Sequence, residues 1–127
     1  MRKESGFTLI SVMIALVLLS VGIMALARAG GEVAAARTTS AVKTNAVAVA
    51  RGHMEWLRSR PPQDLAEESP VRVNAAGEID GTGPYMRSVK LTTQSATLIN
   101  VKVIVDYPRA KVPVEIVTLI YVPPVPM

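Results

Sequence analysis

A long uncharged run near the N-terminus limits what this chain can fold into. No Asp, Glu, Lys or Arg occurs from Ser5 to Ala27, and the run is rich in Leu, Ile, Val, Ala and Met. A helix over residues 7–27 would be about 30 Å long, the thickness of the hydrocarbon core of a bilayer. Such a helix satisfies its own backbone polar groups, so the run predicts a membrane-spanning segment. Arg2 and Lys3 precede it, which favours a single pass with a cytoplasmic N-terminus.

The start of this run carries a family resemblance. The segment Gly6-Phe7-Thr8-Leu9-Ile10 follows a short charged leader and leads directly into the apolar span. It resembles the N-terminus of type IV pilins and of the pseudopilins of type II secretion. The resemblance implies that a membrane-embedded prepilin peptidase cuts between Gly6 and Phe7 and that Phe7 becomes N-methylated. It also implies three partners: other pilin or pseudopilin subunits, that peptidase, and an assembly platform in the inner membrane.

Ser11 departs from the family pattern. The fifth residue of the mature chain is usually Glu in this family, where it is thought to meet the N-terminus of a neighbouring subunit during assembly. Ser11 is neutral and can hydrogen-bond back to its own helix. The missing carboxylate favours a minor subunit, at the tip or at initiation. The alternative is a tolerated substitution in a more abundant subunit.

Three glycines interrupt the predicted helix. Gly22 lies in the membrane half, and Gly30 and Gly31 lie where the helix leaves the membrane. Each costs about 1 kcal/mol of helix stability relative to Ala. We therefore predict that Gly30 and Gly31 form a hinge, with Gly22 as a further weak point. A close-packing site for small residues is the alternative interpretation.

Residues 30–60 continue the helix into water, with an apolar stripe at near-helical spacing. Val49, His53, Trp56 and Leu57 are predicted to pack this amphipathic half against a sheet. His53 is the only histidine, and we interpret it as a packed side chain with no metal. The helix should end at Arg60, because a proline disfavours helical geometry in the residue before it.

The rest of the chain predicts a small sheet. Residues 61–84 form a connecting loop punctuated by Pro and Gly, in which the alternating residues 71–73 are a candidate short strand. An acidic cluster at residues 64–68 is interpreted as solvated. From residue 85 the apolar period becomes two, in three β-branched segments at 85–93, 99–107 and 114–122. Residues 123–127 are a Pro-rich tail that cannot extend a ladder.

These features predict an α+β, pilin-like fold. A long N-terminal helix, half membrane-embedded and half amphipathic, packs on a small antiparallel sheet of three or four strands. The predicted division is a leader at 1–6, a transmembrane or filament-core half-helix at 7–29, and a globular head at 30–127. The head contains the helix 30–60, the loop 61–84, the sheet 85–122 and the tail 123–127.

Composition narrows the function. The net charge is +4, but the basic residues are spread along the chain, with one Trp, one Phe and three Tyr. Nucleic-acid binding is therefore only weakly supported. There is no Cys nucleophile, no Gly-rich phosphate loop and no paired His, so we predict neither an enzyme nor a cofactor.

We therefore predict a minor structural subunit that leaves the inner membrane for an extracellular pilus or a periplasmic pseudopilus. The pattern from Ala50 to Pro61 also loosely resembles minor pilins of the PilV type and the small GspI-type pseudopilins. The alternatives are a filament-borne adhesin or DNA-binding subunit, and an unrelated single-span membrane protein. A secretory signal peptide cut at residues 25–27 is disfavoured, because the apolar run is longer than a usual h-region.

Overall fold

The computed structural model describes Gly6 and residues 8–126, so the leader residues 1–5 and Phe7 lie outside the described part. One long helix, α1 (Leu9–Arg58), is followed by a short 3₁₀ helix (Pro62–Asp64). Four strands complete the chain: β1 (Glu68–Val73), β2 (Tyr85–Ser95), β3 (Leu98–Asp106) and β4 (Val114–Tyr121). The chain divides into two compact units, one ending at Thr38 and one beginning at Thr39. The predicted boundary after residue 29 falls earlier in the same helix.

Helix α1 ends two residues earlier than its sequence predicts. Its last helical residue is Arg58, and a final turn follows in which the Arg60 amide donates to the Leu57 carbonyl over 3.2 Å. The Ser59 hydroxyl donates to the Trp56 carbonyl over 2.7 Å. These two bonds satisfy carbonyls that the helix end leaves without partners, and Pro61 then prevents continuation.

The strands form one antiparallel meander with the spatial order β1-β2-β3-β4. The three apolar segments of period two become β2, β3 and β4, and the α+β, pilin-like fold class is confirmed. Within the predicted connecting loop, the candidate strand at residues 71–73 is confirmed as the end of β1, which begins earlier, at Glu68, and pairs with β2. Pro70 and a register shift between Glu68 and Val71 interrupt that strand, which is why its sequence pattern is weak.

The core lies in the second compact unit, between the C-terminal part of α1 and one face of the sheet. All described residues up to Ala41 are exposed, whereas buried side chains begin at Ala46. The buried apolar residues are Ala46, Val49, Ala50, Met54, Leu57, Val73, Tyr85, Val89, Val101, Val103 and Val105. Alternate residues of each strand face this core, as a pleated strand requires.

Candidate functional site

The apolar half of α1 is the largest exposed hydrophobic surface among the described residues. Its large side chains from Leu9 to Leu26 are between 45% and 77% exposed. Exposed apolar surface of this extent marks a membrane or protein contact. Among the described residues, α1 is the one helix that is long and apolar enough to cross a membrane, judged by length and composition. We refer to residues 9–27 as the membrane-spanning segment.

Thr8 caps the start of this helix, and Ser11 completes the cap. The Ser11 amide donates to Thr8 Oγ1 over 3.3 Å, and the two hydroxyl oxygens lie 2.9 Å apart. Thr8 is thus the N-cap and Ser11 the third helical residue, the position that Glu or Gln takes in a capping box. The role of Ser11 in assembly stays a prediction. Phe7 lies outside the described residues, so the predicted cleavage between Gly6 and Phe7 also lies outside them.

The three predicted weak points all lie within continuous α1. A Cβ built on Gly22, Gly30 or Gly31 would meet nothing within 4 Å. None of the three is therefore required by close packing within this chain. Nearby, the Ser20 hydroxyl donates to the Leu16 carbonyl over 2.8 Å, which satisfies that hydroxyl within the helix. The hinge at Gly30 and Gly31 stays a prediction.

The predicted helix–sheet packing residues divide into two groups. Val49 is 4% exposed and Leu57 is 2% exposed, and both lie in the core. The prediction that Trp56 packs against the sheet is wrong, because its side chain is 46% exposed. Trp56 lies on the helix surface, where its ring stacks on His53 at 5.2 Å and the Arg60 guanidinium covers it at 4.6 Å. Successive helix residues point about 100° apart, and here Leu57 faces the sheet whereas Trp56 faces solvent.

His53 joins a small network of charged side chains at the edge of the core. Its Nε2 lies 3.0 Å from Glu68 Oε2, and Arg87 Nη2 lies 3.8 Å from the same oxygen. Burial lowers the pKa of His53 below its ordinary value of 6.5, the charge of Arg87 lowers it further, and Glu68 opposes both. His53 lies outside the membrane-spanning segment. The lowered pKa makes it neutral at pH 7, so its Nε2–H donates to the carboxylate.

A turn after β1 holds Arg87 in place. The Asn74 side-chain oxygen accepts from the amides of Ala76 and Glu78 at 2.9 and 3.0 Å, and Gly77 adopts a φ of 84°. This left-handed geometry suits glycine and directs its carbonyl to Arg87 Nη1 at 3.0 Å. Arg87 Nε is buried without a partner among the described residues. The guanidinium is therefore held mainly by a backbone carbonyl and Glu68.

These residues line an open cavity of about 860 Å³ between α1, β1 and the turn. Its wall from α1 includes Gly52, His53 and Trp56, and its opposite wall includes Glu68, Ile79 and Arg87. With His53 neutral, the charged residues of the lining are Glu68 and Glu78 against Arg87. The arrangement can donate and accept hydrogen bonds, and it fixes β1 and the turn to the helix.

Sequence reasoning missed Glu68 and Arg87. The interpretation of the acidic cluster as solvated is wrong for Glu68, because its side chain is only 28% exposed and pairs with His53, whereas Asp64 and Glu67 are exposed. Glu68 and Arg87 lie on adjacent strands, whose pairing places Glu68 opposite Val89. A weak clue was available: Arg87 alternates with Tyr85 and Val89, so it occupies an inward position of a strand.

Comparison with known proteins bears on the N-terminal segment. Residues 1–27 match the prokaryotic N-terminal methylation motif. No curated protein and no solved structure matches the chain significantly. The motif covers the leader, the junction between Gly6 and Phe7, and the membrane-spanning segment.

The motif indicates a type IV pilin-like prepilin. The motif is typical of proteins that prepilin peptidase processes and that assemble with other pilins. A membrane-anchored pilin is consistent with the exposed apolar half of α1. The motif points to a structural protein.

Proposed function

We propose that this chain is a minor structural subunit of a type IV pilus or a related pseudopilus. In this proposal the precursor inserts into the inner membrane with its N-terminus in the cytoplasm. Prepilin peptidase cuts between Gly6 and Phe7, and Phe7 is N-methylated. The subunit then moves from the bilayer into a filament, where it takes an initiating or tip position.

The observation that carries this proposal is the exposed apolar half of α1 directly after the methylation motif. No described side chain from Leu9 to Ala41 is buried within the chain. In water this surface would be unfavourable by about 25 cal/mol for each Å² of apolar area. Either lipid or the helices of neighbouring subunits must cover it, and a pilin uses both in turn.

Ser11 supports the minor role within this proposal. A carboxylate inside a membrane is costly and is kept for a partner. Ser11 forms its hydrogen bonds with Thr8 of the same chain, so it requires no partner from another subunit. A subunit at the tip needs fewer docking contacts than one that repeats along a shaft.

The first experiment is the intact mass and the N-terminal peptide of the chain produced with its native prepilin peptidase. We expect a chain that starts at methylated Phe7. Gly6→Leu should remain uncut, whereas the matched control Ser5→Ala should be cut normally. An N-terminus at Arg28 would identify a secreted soluble protein, and an uncut native chain would identify a simple anchor. Either result would overturn the proposal.

The second experiment addresses incorporation. Filaments sheared from cells should contain the chain at a small fraction of the most abundant pilin, measured by quantitative mass spectrometry. Gly6→Leu should be absent from them, and Ser5→Ala should be present at the native level. A native chain equal in amount to the main subunit would overturn the minor role. A chain absent from every filament would overturn membership.

A further inference from the structure

The two edges of the sheet are protected to different degrees. β1 contains Pro70 and a register shift, and the following turn covers its outer side. Val73 forms a bridge with Ile79, and the Asp80 amide donates to the Arg72 carbonyl over 2.9 Å. Proline, bulges and covering loops are the devices that prevent a sheet edge from pairing with another chain.

β4 lacks these devices. It pairs with β3 in a continuous register from Leu98↔Tyr121 to Val105↔Val114, and no described strand pairs with its other side. Prolines occur before it at Pro113 and after it at Pro123, but none lies inside it. An exposed strand of this kind presents a row of unpaired backbone amides and carbonyls to a partner strand.

The solvent face of β4 is also apolar. Val117 is 50% exposed, Leu119 is 53% exposed and Tyr121 is 60% exposed. The single charged residue of the strand, Glu115, lies on the same face, 3.4 Å from Lys102 of β3. The edge therefore carries no uncompensated charge that would repel a second strand.

We propose that β4 pairs with β4 of a second copy, antiparallel and centred on Thr118. In this register Thr118 faces Thr118 of the second copy, and Val117 faces Leu119. Ile116 faces Ile120 toward the core side. Opposed residues then belong to the same face of the sheet, as antiparallel pairing requires.

The position of the prolines selects this register. Centring the pair on Val117 would bring Pro113 opposite Tyr121, and centring it on Leu119 would bring Pro123 opposite Glu115. Proline has no amide proton to donate to a ladder. Centring on Thr118 pairs residues 115–121 without either proline. In this register apolar residues face apolar residues. No two like charges lie directly opposite each other, an arrangement that would be destabilising. The two four-stranded sheets become one continuous sheet.

Disulfide trapping in membranes tests this register directly, because the sequence contains no cysteine. Thr118→Cys should form a covalent dimer under mild oxidation, since directly opposed residues have Cα atoms about 4.5–5.5 Å apart, within disulfide range. Val117→Cys alone should not, because the two copies would be diagonal neighbours about 7–8 Å apart. Differently tagged Val117→Cys and Leu119→Cys copies, expressed together, should crosslink several-fold more than either alone.

Two controls separate pairing from random collision and from misfolding. Thr92→Cys is exposed on the central strand β2 and should remain monomeric. Adding Val117→Lys and Leu119→Lys to Thr118→Cys places lysines opposite each other and should abolish the covalent dimer. Both positions are exposed, so the denaturation midpoint should remain unchanged.

Four results would overturn the proposal. The first three are a monomeric Thr118→Cys chain, Val117→Cys crosslinking as efficient as the mixed pair, and crosslinking that survives the two lysines. Capture of Thr118→Cys by a different chain, with no homodimer, would assign the edge to another subunit and equally overturn self-pairing. The experiment needs no filament, so its outcome is independent of the minor-subunit proposal.

Discussion

Gly83 allows a stringent test of the packing between the turn and β1. Gly83 is buried, its amide donates to the Asp80 carbonyl over 2.9 Å, and its carbonyl accepts from Arg72 Nη1 over 3.3 Å. A Cβ added here would overlap the carbonyl carbon and oxygen of Val73 and lie 2.9 Å from the Asn74 amide nitrogen. These are backbone atoms that cannot rotate away, so β1 or the turn must shift. We expect Gly83→Ala to lower the free energy of unfolding by about 3 kcal/mol, the upper part of the usual overpacking range.

The assay is denaturant unfolding of the full chain in detergent, followed by the fluorescence of Trp56, the only tryptophan. Gly81→Ala is the matched control, because Gly81 lies in the same turn, is exposed and has nothing within 4 Å of a built Cβ. Its effect should remain within about 0.5 kcal/mol. Equal midpoints for Gly83→Ala and Gly81→Ala would refute the close approach between Gly83 and Val73.

Three further predictions follow from the helix. Leu57→Ala should lower the free energy of unfolding by about 2–5 kcal/mol, because Leu57 is 2% exposed, whereas Trp56→Ala should cost only about 1 kcal/mol through lost stacking. Because Trp56→Ala removes the fluorophore, denaturant unfolding of both variants is followed by circular dichroism, and equal losses would contradict this assignment. The lowered pKa of His53 means that the unfolded chain binds more protons than the folded chain between that pKa and 6.5. Stability should therefore fall on acidification below about pH 6.5, and His53→Gln should remove part of that slope in unfolding measured from pH 7 to 5. Ser11→Glu restores the usual family residue, so the amount of chain in sheared filaments should rise; an unchanged amount would count against the role given to Ser11.

The strand pattern shows how much of the fold can be read from the sequence. Val101, Val103 and Val105 alternate with polar or less buried residues, and all three are fully buried on the core face of β3. The alternation of buried and less buried residues is visible in the sequence because one face of the sheet packs on α1 and the other faces solvent. Only residues 71–73 of β1 are recognisable as a candidate strand, since Pro70 and the irregular pairing remove the alternation from the rest of it.

The candidate site could be predicted only in part. The methylation motif is local, so the junction between Gly6 and Phe7 and the apolar run are recognisable in the first 27 residues. The network of His53, Glu68 and Arg87 joins three elements distant in sequence. No pattern of residue spacing in the sequence predicts that a helix residue contacts both an interrupted strand and an arginine that faces the core from the next strand.

The sequence alone determined that this chain begins with a pilin-like methylation motif and a helix suited to a membrane, because charge, length and apolar composition act locally. It also determined the alternation that defines β2, β3 and β4. Tertiary structure decided which helix residues enter the core: Leu57 is buried and its neighbour Trp56 is not. It also decided the partner of His53 and left β4 with an open edge. These outcomes depend on how the helix is rotated against the sheet and on strand order, which are properties of the packed chain.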